Sequence, residues 1–171
     1  MNEDNLIVAA KDELNLVLSF FPRVESRSSV VLAIDTAMAG FLAGNAPPLH
    51  SLTCSMVIAG GLTLASLCVS VVLLYWGSSP NLKGGEGSLV YFGEITKRKE
   101  HTFIEDFAAQ SEKQYANDLL GQAWRNAHIL GTKFHALKWA FRFMALAIVP
   151  WLVTLALFAS YGGTHTSLFK P

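Results

Sequence analysis

No lysine, arginine, aspartate or glutamate occurs between Thr36 and Leu82, a gap of 47 residues. A soluble domain carries about one charged residue in four, so this gap excludes an ordinary solvated surface there. A basic excess is also lacking: the 171-residue chain has 13 basic and 13 acidic side chains, for a net charge of zero. That argues against nucleic-acid binding, which needs cations to neutralise phosphates. Cysteine is scarce. Cys54 and Cys68 fall in one expected helix, 14 residues apart. That is about 21 Å along the axis, so they cannot pair, and both read as small buried apolar residues. The start, Met1-Asn2-Glu3-Asp4, is acidic. It has no basic n-region, so no cleaved signal is expected and the apolar stretches should be retained.

Catalytic patterns are missing as well. The sequence has no G-x-x-x-x-G-K-[ST] and no G-x-S-x-G. Its five histidines (His50, His101, His128, His135 and His165) are scattered. His128 and His135 share a helix face, but neither cysteine nor a suitably spaced carboxylate accompanies them. We therefore expect no enzyme, no catalytic residue, no metal and no cofactor.

Apolar length is what the chain has. Hydrophobic residues make up 51% of the sequence and mean hydropathy is +0.36. The uncharged gap is too long for one span of roughly 20 residues and long enough for two. Asn45-Ala46-Pro47-Pro48 breaks it where a turn would fall. We read a transmembrane hairpin over 28–76, with arms at about 28–45 and 52–76. A third span follows at 139–161. Phe143 to Tyr161 carries no charge, and Pro150 should kink it. The fold class expected is an all-α integral membrane protein: a transmembrane helical hairpin, a cytosolic helical segment and a third transmembrane helix.

The remaining segments read as follows. Residues 1–27 are a cytosolic amphipathic helix and lead-in. Leu6, Ala10, Leu14, Val17 and Phe21 recur at helical spacing until Pro22 interrupts. This helix lies on the membrane or packs on the cytosolic part of the chain. Residues 77–138 are a cytosolic loop and long helix. Thr102-Phe103-Ile104-Glu105 fits a capping box. Tyr115, Leu119, Ala123, Ala127, Leu130, Phe134 and Leu137 form a packing stripe. The tail, 162–171, is short and expected to be disordered. Nine basic residues lie in 77–142 and none in the 45–51 turn. The positive-inside rule then places the N-terminus and residues 77–138 in the cytosol of a multi-pass membrane protein.

Some residues stand out against this frame. Asp35 lies inside the first arm, where an ionisable group is expensive. It reads either as a carboxyl bonded to a Ser or Thr of the second arm, or as a polar gating point. Gly40, Gly44, Gly60 and Gly61 suit close helix packing. Lys97-Arg98-Lys99 is a basic cluster beside the membrane, either an anchor to anionic lipid or a contact to an anionic ligand. Gly84-Gly85-Glu86-Gly87 reads as a flexible linker, with backbone amides for a phosphate as the alternative.

The order of motifs resembles a known family. It runs from Asp35-Thr36 to Ala39-Gly40 in a hydrophobic hairpin, then Leu89-Val90-Tyr91-Phe92-Gly93-Glu94-Ile95. Next come a long helix with Asn126-Ala127-His128-Ile129-Leu130 before Lys133-Phe134, and a final span. This resembles the membrane-spanning effectors of Pycsar (pyrimidine cyclase) antiphage defence, from about Leu14 to Leu157. Ala37 departs from it, because the family pattern commonly carries a lysine there. The resemblance implies an effector activated by cyclic UMP or cyclic CMP from a partner cyclase. Such an effector impairs the inner membrane and causes abortive infection. Expected partners are membrane lipids, the cyclic pyrimidine nucleotide and further copies of the chain. Phosphate-contact candidates are Lys97, Arg98, Lys99 and Arg125; Tyr91, Phe92 and Trp124 are candidates to stack on a base. The alternative is a constitutive structural or assembly subunit of a membrane complex.

Overall fold

The computed structural model describes residues 3–79 and 84–167. It is 86% helix, with no strand among the described residues, which establishes the all-α class. The helices are α1 (Glu3–Leu18), α2 (Phe21–Asn45), α3 (Cys54–Ser78), α4 (Phe92–Ile95), α5 (Glu100–Ala109) and α6 (Glu112–Ser167). A single 3-10 turn, Leu49–Ser51, follows the Pro47-Pro48 break.

Three stretches are long and apolar enough to cross a membrane: 5–45, 54–78 and 112–161. Where the sequence suggested that Pro22 ends a helix, it instead lies in the first turn of α2. Its missing N–H costs nothing there, because first-turn donors have no intrahelical acceptor. The break falls earlier, at Ser19–Phe20. The expected capping box at Thr102–Glu105 is absent. Helix α5 begins at Glu100 after an extended Lys99, with no side-chain cap, so Thr102 is already inside the helix. The box forms instead nine residues on. Gln114 N donates to Ser111 Oγ at 3.3 Å, and Ser111 N donates to Gln114 Oε1 at 3.0 Å. This reciprocal pair starts α6 after Gln110 turns extended. From there α6 runs past Tyr161 to Ser167 with Pro150 inside it; residues 168–171 of the expected tail lie outside the described residues.

The chain divides into two compact units. Unit 1 comprises residues 1–25 and 79–134, and unit 2 comprises 26–78 and 135–171. Helices α2 and α6 contribute residues to both.

Unit 1 has a conventional apolar core. Ala10 and Leu14 of α1 pack on Ala116, Leu119 and Ala123 of α6, with Leu6, Ile7, Val90 and Tyr115 around them. The stripe on α1 thus packs against the stripe on α6 of the same chain. Alanines at the contact let the two helices approach closely.

Unit 2 buries Met38, Leu67 and Ala147 in one apolar cluster, with Val31, Leu42 and Met144 also buried, and turns other large apolar side chains outward. Val30, Phe41, Ile58, Leu62, Leu146 and Val149 are exposed. Fully buried positions include Asp35, Thr63, Ser70 and Thr154. Lipid tails are as apolar as leucine, so outward leucines and valines are tolerated there, and small or polar side chains join the buried apolar ones at the helix contacts. Thr63 and Thr154 hydroxyls donate to carbonyls of their own helices, Ala59 at 3.0 Å and Pro150 at 2.7 Å. Cys54 and Cys68, read from sequence as buried, are exposed on α3 for the same reason.

Candidate functional site

Two polar assemblies were candidates from sequence, one in each unit. In unit 2, Asp35 is fully enclosed. The hydroxyl of Ser70 on α3 donates to Asp35 Oδ2 at 2.6 Å and also lies 3.1 Å from the Ala140 carbonyl of α6. One residue from each of α2, α3 and α6 therefore meets at one point. This is the hydroxyl partner on the second arm that the sequence suggested. Asp35 Oδ1 has no hydrogen-bond partner among the described residues. Trp151 Nε1 donates to the Met38 carbonyl at 3.0 Å, a second polar tie between α6 and α2. Of the four packing glycines, only Gly60 meets a neighbour, Thr154 Cγ2 at 3.7 Å from its would-be Cβ. Gly40, Gly44 and Gly61 have open space beside them in this chain.

In unit 1 the sequence builds a cavity. Its first wall is the loop before α4. Ser88 Oγ accepts hydrogen bonds from Val90 N at 3.2 Å and Tyr91 N at 3.0 Å. The same hydroxyl donates to Asp118 Oδ1 at 2.7 Å, and Leu89 N donates to Asp118 Oδ2 at 2.8 Å. Both oxygens of one carboxylate thus fasten the loop to α6. Its second wall is a face of α6. Asp118, Gln122, Arg125, Asn126 and Ile129 recur at helical spacing and point the same way. Leu14 and Leu18 of α1 close it. The cavity is about 310 Å³, lined by these residues (other than Asp118) with Val90, Tyr91 and Phe92. That is the low end for small-molecule sites, suited to one compact ligand.

Arg125 is the cavity's only cationic residue among the described lining. Its Nε and Nη2 donate to Gln122 Oε1 at 3.3 and 3.1 Å, and Nη2 lies 3.9 Å from Asp118. Among the described residues Nη1 has no hydrogen-bond partner, which leaves a donor edge for an anion. Tyr91 is buried, and its ring packs on that of Phe92 with centroids 4.9 Å apart.

The sequence candidates therefore separate. Tyr91, Phe92 and Arg125 come together. Trp124 is exposed on another face of α6, edge-on to His128. The basic cluster is engaged elsewhere. Arg98 pairs with Asp106 and donates to the Gly87 carbonyl at 2.9 Å, and Lys97 pairs with Glu94. That hydrogen bond holds the Glu94 carboxyl below its ordinary range, with help from Gly87 N, and raises the Lys97 ammonium. Lys97, Arg98 and Lys99 do not line the cavity. Asp118 and Gln122 were not singled out from sequence, and Asn126 stood there only as the start of a family motif. The available signal was their shared face with Arg125 once a helix over this region is accepted.

Fold and cavity together define a multi-pass membrane protein with a ligand-sized pocket in its more polar unit. Residues 9–160 match the Pycsar effector protein domain, and the chain belongs to that family of antiphage defence effectors, which are of a non-enzymatic kind. No curated protein and no solved structure matches the chain.

Proposed function

We propose that this effector is switched by a cyclic pyrimidine mononucleotide, cyclic UMP or cyclic CMP made by a partner cyclase, bound in the unit 1 cavity. The bound form impairs the bacterial inner membrane and ends infection by killing the host cell. The observation that carries the reading is the cavity itself. It places one guanidinium fork, two side-chain amides and an aromatic pair around a space for one mononucleotide. The cyclic phosphate sits on Arg125, a pairing of planar donors with an anion. The base lies against Tyr91 and Phe92, while Gln122 and Asn126 offer donors and acceptors to ribose or base. Switching requires that the nucleotide bind one arrangement of the chain better than another. Several copies act together, because three small helices cannot alone enclose a leak. With residues 77–138 cytosolic, the cavity faces the compartment where the cyclase works.

The test uses the full chain in nanodiscs and liposomes. Cyclic UMP or cyclic CMP should bind in calorimetry and release an entrapped dye. The absence of both binding and leakage with both nucleotides would overturn the reading.

A further inference from the structure

The glycines before the cavity loop have a purpose that backbone conformation does not explain. Only Gly87 has positive φ, at 73°. It is the third residue of the turn closed by Ser88 N donating to the Gly85 carbonyl at 3.2 Å, a position that takes glycine. Gly84 and Gly85 need no such freedom. A Cβ on Gly84 would run into the Tyr91 ring. A Cβ on Gly85 would lie 2.6–2.7 Å from Nη1, Cζ and Nη2 of Arg125. Near-equal distances to three atoms of a planar group place the Gly85 backbone over the guanidinium face. These two residues thus lie on the cation and the buried aromatic assigned to the nucleotide.

The segment is held at one end. Gly87 N donates to Glu94 Oε2 at 3.3 Å, and the Gly87 carbonyl accepts from Arg98. At its other end the chain leads, within six residues, to Ser78, the last residue of the membrane helix α3. A phosphate brought to Nη1 of Arg125 arrives beside the Gly85 backbone that covers the face of that group.

We propose that Gly84–Gly85 is a strap that competes with the nucleotide's cyclic phosphate for Arg125, so that occupancy of the cavity lifts it and alters the restraint on α3. This rests on the nucleotide reading of the cavity. The strap turns ligand recognition into a change in the one piece of chain that joins the cavity loop to the end of α3. The cost of lifting it lowers apparent affinity, since a ligand that binds only a minor form is weakened by that form's population. The glycines are what keep the strap down, because any side chain at 84 or 85 would hold it off.

The experiment compares the wild-type chain with Gly85→Ala in nanodiscs and dye-loaded liposomes. Cyclic UMP and cyclic CMP binding is measured by calorimetry, and hydrogen exchange is followed at the amides of 84–88. If the strap is closed in nine molecules of ten, Gly85→Ala binds nucleotide about tenfold tighter. It also leaks dye without nucleotide, and exchange in wild-type 84–88 rises on binding. Equal affinity of the two proteins, with wild-type exchange unchanged or slowed by bound nucleotide, overturns the strap and leaves the nucleotide site standing. No binding to the wild-type chain overturns both. If Gly85→Ala fails to fold, wild-type exchange alone decides: a rise supports the strap and anything else removes it.

Discussion

Unit 1 and unit 2 handle polar groups in opposite ways. Unit 1 pairs several of its charges, Lys97 with Glu94, Arg98 with Asp106 and Lys133 with Glu25, and leaves Arg125 only partly satisfied beside a cavity. Unit 2 has one charged residue type within its hairpin, Asp35, and turns it inward against a serine hydroxyl. Large apolar side chains do not divide in this way, since each unit buries some and turns others outward. The difference tracks solvent. Where water surrounds a unit, apolar burial supplies the stability. Where lipid does, close packing and internal hydrogen bonds supply it.

The sharpest way to break this contrast is to attack unit 1's apolar core. Leu119 is buried between α1 and α6. Leu119→Ala should cost about 2–5 kcal/mol, the transfer loss plus an unfilled cavity. Hydrogen exchange should then rise across α1 and the start of α6 while α3 stays protected. Equal loosening of both units would show that they share one stabilising core. Next in size is Arg125→Ala. Losing a charge-assisted contact of about 1.5–3 kcal/mol should weaken nucleotide binding by about 10- to 100-fold, with the melting temperature little changed. Unchanged affinity would remove Arg125 from the site.

Ser70→Ala probes unit 2. It deletes the hydroxyl that joins Asp35 on α2 to Ala140 on α6. Interhelical hydrogen bonds in membranes average about 0.6 kcal/mol and reach about 1.7, so the loss should fall in that range. Asp35→Asn keeps an acceptor for Ser70 and should cost less. Unfolding in a mild detergent measures both. A cost for Ser70→Ala as large as that for Leu119→Ala would mean that unit 2, too, depends on a single dominant contact.

Sequence composition alone revealed the membrane-crossing stretches, because 47 uncharged residues have no other common explanation. It also pointed to a hydroxyl partner for Asp35, since a buried carboxyl must be satisfied and the second arm is rich in serine. The start of α6 was harder. Thr102 and Ser111 both begin a cap pattern, and only the extended backbone at Gln110 decides between them. The cavity was half legible: Tyr91, Phe92 and Arg125 are conspicuous residue types, whereas Gln122 and Asn126 matter only through the helix face they share. The strap was not legible, because a glycine run reads as flexible until the rings and guanidinium beneath it are placed.

The smallest expected effect is a titration confined to unit 1. Glu94 accepts a hydrogen bond from Lys97 and one from Gly87 N, and its carboxyl lies below the ordinary value of 4.5. The unfolded chain therefore binds that proton more readily than the folded one. The resulting stability is fully present above the ordinary value and is lost as pH falls through the lowered folded value. Lys97 runs the other way: raised above 10.5, its contribution is present below that value and lost as pH rises through the raised one. Lys97 is exposed and Glu94 half-buried at the surface, so salt screens the pair and the effect is small. The wild-type chain should melt at slightly lower temperature as pH drops from about 5 to 3, and Glu94→Gln should remove that part of the slope. If Glu94→Gln leaves the slope intact, the acid sensitivity comes from the other carboxylates and the anchor at Gly87 does not depend on this one.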